Sequence, residues 1–294
     1  MPLLASLCNL QQVASSGLLL VGYAGKTPRI VDIGAGRLRC FGCTGLVVSD
    51  SLLYCAWLGP EFNSFLSVLD AFTLAVLESR PLEDIKDVHS LCVSEGWLYL
   101  ASTGTDEIRR IETARVGGKS ELVWRATSSG SDTHHVNAIL TLERRILCSA
   151  FGPMKGERKS TALDGYVVDI ASNEVLWRGI EHPHSLAVGP DDIYVAESRR
   201  ARVRGLRTGR VYPVDGYARG VAFTRDGRLV AGSSRGRARS RSLGTIENPF
   251  DPGELEGQTG LTFFDLGDDK ESPPSTAYID LSDHGPEIYD IAEL

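Results

Sequence analysis

The 294-residue chain has no uninterrupted run of about 18 apolar residues, so it offers no candidate membrane-spanning helix. Its opening stretch, Met-Pro-Leu-Leu-Ala-Ser-Leu-Cys-Asn, is apolar but follows no basic segment, and it does not read as a signal peptide. Cysteine is sparse. Six residues are scattered without framework spacing, which argues against a disulfide scaffold and fits a reducing, cytoplasmic setting. Cys40-Phe-Gly-Cys43 is a lone C-x-x-C, with no second ligand pair for zinc and no helix start for a redox motif. Its favoured reading is structural, with a redox or metal role as the alternative. Positive charge is short too: 31 Lys and Arg against 38 Asp and Glu leave a formal charge of −7, with no support for general nucleic-acid binding. There is no G-x-S-x-G elbow, Walker loop, H-E-x-x-H or dinucleotide fingerprint, so no nucleotide cofactor is expected and no serine is marked as a nucleophile.

Strong helix signals are also scarce, and short apolar runs separated by Gly, Asp, Pro and Ser dominate. They form a repeat: a polar residue, a small one, an apolar run, a turn and a second apolar run. The copies begin at Thr44, His89, Asn137, His184 and Arg219, and their second runs begin at Leu53, Leu98, Ile146, Ile193 and Arg228, nine positions later in each case. A fixed internal offset with variable gaps marks a repeat architecture. Turn signals at Ser94-Glu95-Gly96, Pro190-Asp191-Asp192 and Asp226-Gly227 make each pair of runs an antiparallel hairpin. Runs such as Phe65 to Asp70 with Ala75 to Glu78, and Tyr166 to Ile170 with Val175 to Arg178, supply third and fourth strands.

Four short strands per repeat, at spacings of 45, 48, 47 and 35 residues, predict propeller blades. The last interval, 70 residues from Arg219 to Tyr289, holds an inserted loop near 234–258. Ile288 to Leu294 reads as an inner strand with nothing after it, and Gly17 to Tyr23 as a second strand with no first. Joining them makes a sixth blade and removes two open edges. The expectation is therefore an all-β, six-bladed β-propeller, one domain over 1–294, its last blade closed by the C-terminal inner strand plus N-terminal strands.

Such a ring gathers the starts of the inner strands on one face. All six histidines lie at or shortly before those starts. The candidate catalytic residues are His89, His135, His184 and Asp290. The candidate metal ligands are His89, Asn137 and His184, because neutral imidazole suits divalent metals. Zn, Fe, Cu, Ni or Ca is the candidate ion, and metal-free proton transfer is the alternative. Arg219, Arg235, Tyr289 and Glu197 are candidate substrate-binding residues. A cation in the ring beside the Ser234 to Arg241 loop points to a carboxylate or phosphate, hence to a small anionic organic molecule. His182 and His284 read as supporting or loop residues. No nucleic-acid or membrane partner is expected, because no aromatic stacking series accompanies the arginines.

The Asn137-Ala-Ile and His184-Ser-Leu-Ala-Val segments resemble inner-strand starts of six-bladed propellers of the gluconolactonase, senescence-marker and strictosidine-synthase kind. In the metal-dependent members an Asn or Asp there binds a divalent cation. Asn137 matches that pattern; His89 and His184 depart from it, which moves the implied ion away from calcium toward a softer metal or none. His135-Val-Asn137, Tyr166-Val-Val-Asp-Ile, Pro183-His184-Ser185, Tyr217 to Phe223, Ser234-Arg235 and Glu287 to Ile291 resemble a largely uncharacterised bacterial propeller family, filed as a domain of unknown function. The matches keep their order over about half the chain but carry no activity with them. Together these readings give a small-molecule enzyme of hydrolase, lyase, isomerase or cyclase type at the channel mouth. A non-catalytic ligand- or protein-binding scaffold is the rival, because propellers host many unrelated functions.

Overall fold

The computed structural model describes residues 2–8, 17–22, 29–30, 40–115, 119–155, 159–235, 257–266 and 276–294. Most of the proposed insertion, with Arg237, Arg239 and Arg241, lies outside the described residues. The described residues form six four-stranded antiparallel sheets. The inner strands are β4 (Gly42–Ser49), β8 (Val88–Ser94), β12 (Val136–Leu142), β16 (Pro183–Val188), β20 (Tyr217–Phe223) and β24 (Glu287–Glu293). Each packs on the next, and β24 packs on both β20 and β4, so the ring closes as a six-bladed propeller.

The closing blade is β24, β1 (Leu3–Cys8), β2 (Leu18–Val21) and β3 (Arg29–Ile30), in that order. The two chain ends do share a blade, but Leu3–Cys8 is its second strand and Leu18–Val21 its third. The sequence reading placed Gly17 to Tyr23 one strand too far inward. Leu3–Cys8 is buried on both faces, so it lacks the polar alternation that marks a strand with one wet side.

The hydrophobic core is divided among clusters that include residues of neighbouring blades. One joins Leu3, Leu7, Val21, Val230, Leu261 and Ile288 across the closing seam. Another joins Tyr54, Leu66, Leu91 and Leu100. The small residues of the repeat have a steric reason. Gly220 sits at φ +67°, and a Cβ there would lie 2.8 Å from Ile291 Cγ1.

Every inner strand carries a β-bulge where the repeat has its polar and small residues. Thr44 is the extra residue between the pairs Cys43–Trp57 and Gly45–Ala56, and His89 between Val88–Ser102 and Ser90–Ala101. Asn137 and Ala138 together oppose one residue of their partner strand, as do His184 and Ser185. Gly220 and the Tyr289–Asp290 pair occupy the bulges of the last two inner strands. A bulge re-aims a side chain without ending the strand, and repeated six times it builds the polar end of the channel.

The residue after the polar position alternates around the ring. Ser90 Oγ accepts the Ile139 N–H of the next blade at 3.2 Å, and Ser185 Oγ the Gly220 N–H at 2.9 Å. Asp290 Oδ2 accepts the Leu46 N–H at 2.9 Å. The three blades between carry Gly45, Ala138 and Gly220 there. Asp290 is thus the counterpart of two serines that bridge neighbouring blades, made acidic.

Candidate functional site

A second column of functional side chains lies two residues before the polar ring. Asp87, His135 and His182 all adopt left-handed backbone, at φ 53°, 52° and 56°. Asp and His tolerate that region better than most residues, and such strain clusters at functional sites. Asp106 sets up His135: its carboxylate accepts the N–H groups of Thr133, His134 and Val136 and the Thr133 hydroxyl. Phe151, just after β13 (Arg145–Ala150), stacks on His182 at 4.3 Å and lies 4.4 Å from His135 and 4.9 Å from His184.

These rings form a closed collar. Phe151 meets His135, and His135 meets His89 at 5.0 Å. His89 meets Tyr289 at 5.1 Å, past the small Thr44 of the blade between them. The Arg219 guanidinium lies 4.7 Å from the Tyr289 ring and 5.3 Å from Tyr217. Tyr217 meets His184 at 5.1 Å, and His184 returns to Phe151.

Hydrogen bonds fix the tautomers of four histidines. His135 donates Nδ1–H to the Asp132 carboxylate, 3.0 and 3.1 Å away, which also holds Lys159 Nζ at 3.1 Å. That leaves His135 Nε2 as an open acceptor. Ser198 gives its single hydroxyl proton to Ala218 O at 2.5 Å, so it can only accept from His184 Nδ1 at 2.7 Å. His184 Nε2 is therefore an unprotonated, open nitrogen. His182 donates Nε2–H to Lys159 O at 3.1 Å and accepts at Nδ1 from the Tyr217 hydroxyl at 2.9 Å. His89 donates Nε2–H to Asp87 at 3.2 Å and accepts at Nδ1 from the Asn137 amide at 3.3 Å.

Electrostatics keep His135, His182 and His184 neutral. Burial, reinforced by the Lys159 ammonium, pushes His135 down to about 4 despite Asp132. Burial and the neighbouring His135 push His182 down to about 3. Burial and the Arg219 cation push His184 well below the ordinary histidine range. Asp290 goes the other way: burial raises it to about 7, against the N–H groups of Leu46 and Ile291. Burial works to raise Asp87, but His89, Lys159 and His135 together hold that carboxylate below its ordinary value.

A cavity of about 250 Å³ fills the channel behind the collar. Its polar end is His89, Ser90, His184, Ser185 and Asp290, and its walls include Leu91, Ile139, Leu186, Val221 and Ile291. At the collar His135, His184, Arg219 and Tyr289 are buried, at 3%, 5%, 7% and 7% exposed, while His89 and Tyr217 are half-buried. At the far ends of the inner strands Val47, Val93 and Thr141 line the cavity and are half-buried, and nearby Val188 is exposed. The cavity thus runs from the histidine ring along the inner strands toward their opposite ends.

The sequence candidates divide accordingly. His89, His184 and Asp290 line the cavity; His135 and Tyr289 belong to the collar. Arg219 is ion-paired inside the protein. It donates to Glu287 at 3.0 Å, both side chains are buried, and the carboxylate outweighs burial and keeps the guanidinium charged. Among the described residues no Lys or Arg lines the cavity. Glu197 sits away from the channel: its carboxylate holds Arg202 Nη2 at 2.6 Å and accepts the Glu181 N–H. Arg235 is exposed and does not line the cavity.

The candidate metal ligands His89 and His184 hold partners inside the protein. Both His89 nitrogens are engaged, and His184 offers only Nε2. Among the described residues no three His, Cys, Asp or Glu side chains are placed to hold an ion. Asn137 Oδ1 and Thr44 Oγ1 are buried without hydrogen-bond partners, but an amide and a hydroxyl oxygen make a weak donor set. Cys40 and Cys43 are buried and form no disulfide, and burial pushes Cys40 up to about 12, which suits an unreactive structural cysteine.

Sequence reasoning missed Asp87, Asp132, Phe151, Lys159 and Ser198. Asp87 was within reach, because it shares the column two residues before the ring with His135 and His182. Ser198 lies 14 residues after His184, the offset of Thr103 from His89 and of Phe151 from Asn137, whereas Lys159 comes from a loop outside the repeat.

Fold and site define a six-bladed β-propeller with a histidine-capped channel. In solved structures it is similar to a nidogen/laminin complex, with TM-score 0.64 and 10% identity over 99% of this chain and 97% of that one. It is also similar to putative 6-phosphogluconolactonases from Bacteroides uniformis and Bacteroides fragilis. These give TM-scores of 0.55 and 0.54 and 12% identity, over 94% and 95% of this chain and 82% of each of theirs. At such identities the likeness concerns the fold alone. No family model matches the chain, and no curated protein matches it in sequence. No described helix is long and apolar enough to cross a membrane.

Proposed function

We propose that this protein is an enzyme that moves a proton on a small organic molecule held in the propeller channel, in a hydrolysis, elimination, isomerisation or cyclisation. The observation that carries this reading is His184. Its proton is locked on Nδ1 by Ser198, its Nε2 is open, and it lines the same cavity as Asp290. A neutral imidazole with a free lone pair is a general base at pH 7. A carboxyl group raised to about 7 retains its proton on a substantial fraction of molecules and is its natural acid partner. In the collar the Asp132 carboxylate accepts the Nδ1–H of His135 and so orients a second neutral imidazole. His89, with both nitrogens engaged, positions Asn137 and packs against His135.

A non-catalytic binding propeller is the second reading. It is favoured by the nidogen/laminin complex among similar structures and by the neutralisation of Arg219. Turnover separates the two. A panel of lactones and aryl esters, assayed with wild type and with His184→Gln, should give at least one substrate. For it, kcat should fall by about 10²-fold or more in the variant, the usual scale of a lost general base. Turnover by His184→Gln equal to wild type would remove His184 from the chemistry.

A further inference from the structure

The cavity's chemistry points to a particular kind of ligand. Its walls are the aliphatic side chains of inner strands, and its polar end holds two imidazoles, two serine hydroxyls and a carboxyl group. Among the described residues no ammonium or guanidinium faces it. Lys159 is held by Asp132 and Arg219 by Glu287. An anionic head would be buried beside the Asp290 carboxyl group with no counter-cation among the described residues, and burying an unpaired charge is costly. The volume of about 250 Å³ lies below the roughly 300–1,000 Å³ of sites for drug-sized ligands. From the polar ring at Asn137 to the half-buried Thr141, four residues of strand give a channel roughly 13 Å long. At the end remote from the histidines the lining residues Val47, Val93 and Thr141 are half-buried.

We propose that the channel takes a small uncharged molecule with an aliphatic shaft and one hydrogen-bonding head, of the alcohol, ester or lactone class. It enters from the end remote from the histidines and seats its head against His184, Ser185 and Asp290. The His184 lone pair accepts from a hydroxyl head, and the Asp290 carboxyl group faces a carbonyl or ether oxygen. The shaft lies along Leu91, Ile139 and Leu186. The inference names a substrate class for the proton-transfer site, so it rests on that reading.

Octan-1-ol and octanoate, added to the full chain, are the probes. Titration calorimetry should show octan-1-ol binding at least 10-fold tighter than octanoate at pH 8. Methyl resonances of Leu91, Ile139, Leu186 and Ile291 should shift on saturation. Val93→Phe, which narrows the end remote from the histidines, should weaken octan-1-ol at least 10-fold while keeping a cooperative melt. Thr141→Phe, on the adjacent blade, serves if Val93→Phe does not fold. Phe72→Ser, at the most exposed aromatic on the rim, should leave binding unchanged. Octanoate binding as tightly as the alcohol, or octan-1-ol affinity untouched by the narrowing variants, would overturn the proposal. So would octan-1-ol affinity lost only in Phe72→Ser. The failures remain separable. Channel binding without His184-dependent turnover sinks the enzyme alone, and His184-dependent turnover with octan-1-ol excluded from the channel sinks this ligand class alone.

Discussion

Arg219→Met is expected to lower the free energy of unfolding by about 3–5 kcal/mol, the usual cost of stranding one partner of a buried ion pair. Arg219 sits on the last blade before the seam, and Glu287 begins the strand that closes the ring. Their 3.0 Å contact joins the two where the chain ends meet. Removing the guanidinium takes away the cation 3.0 Å from the Glu287 carboxylate, which is 1% exposed. It also removes the cation between the Tyr217 and Tyr289 rings. Replacing both charges, as Arg219→Met with Glu287→Leu, should restore most of the loss, because no charge is then stranded. Urea denaturation of the two singles and the double measures this. A single variant as stable as wild type would show that the pair does not hold the seam.

Acidification is expected to have an effect of similar size. His135 and His182 have folded-state values of about 4 and 3, below the ordinary histidine value of 6.5. Between those values and 6.5 the unfolded chain binds protons that the folded chain refuses. Their contribution to stability is therefore complete above about pH 6.5 and is lost as pH falls toward 4. Each histidine costs about 1.4 kcal/mol per pH unit in that window. Asp290 opposes them. Its folded value of about 7 lies above the ordinary 3.8, so its contribution is present in acid and fades as pH rises through 7. Two groups outweigh one, and chemical-denaturation midpoints should fall steadily from pH 6.5 to pH 4. Asp290→Ser, which copies Ser90 and Ser185, should steepen the fall. A flat profile across that range would mean the histidines are not held neutral.

The sequence carried the architecture because its evidence is periodic. The nine-residue offset recurs in five copies, and hairpin turns and alternating strands follow from it. The same offset put His89, Asn137, His184 and Arg219 in one ring. It could not reveal that the ring positions are bulges, because a bulge changes pairing and leaves composition unchanged. Nor could it reveal partners. Arg219 reads as a free cation until Glu287, 68 residues away, is brought to its side. Glu197 reads as a ligand until Arg202 closes on it. Leu3–Cys8 escaped because a strand buried on both faces has no polar alternation. The site's acid–base character rests on single hydrogen bonds from Ser198, Asp132 and Tyr217, which are tertiary facts.

The central claim is that His184 is a neutral base whose open nitrogen is Nε2. Nitrogen-15 NMR of the histidine rings between pH 5 and pH 8 tests it directly. The account predicts His184 and His135 as Nδ1–H tautomers and His182 as the Nε2–H tautomer, none of them forming an imidazolium in that range. An Nε2–H tautomer at His184, or protonation of its ring near pH 6.5, would contradict it.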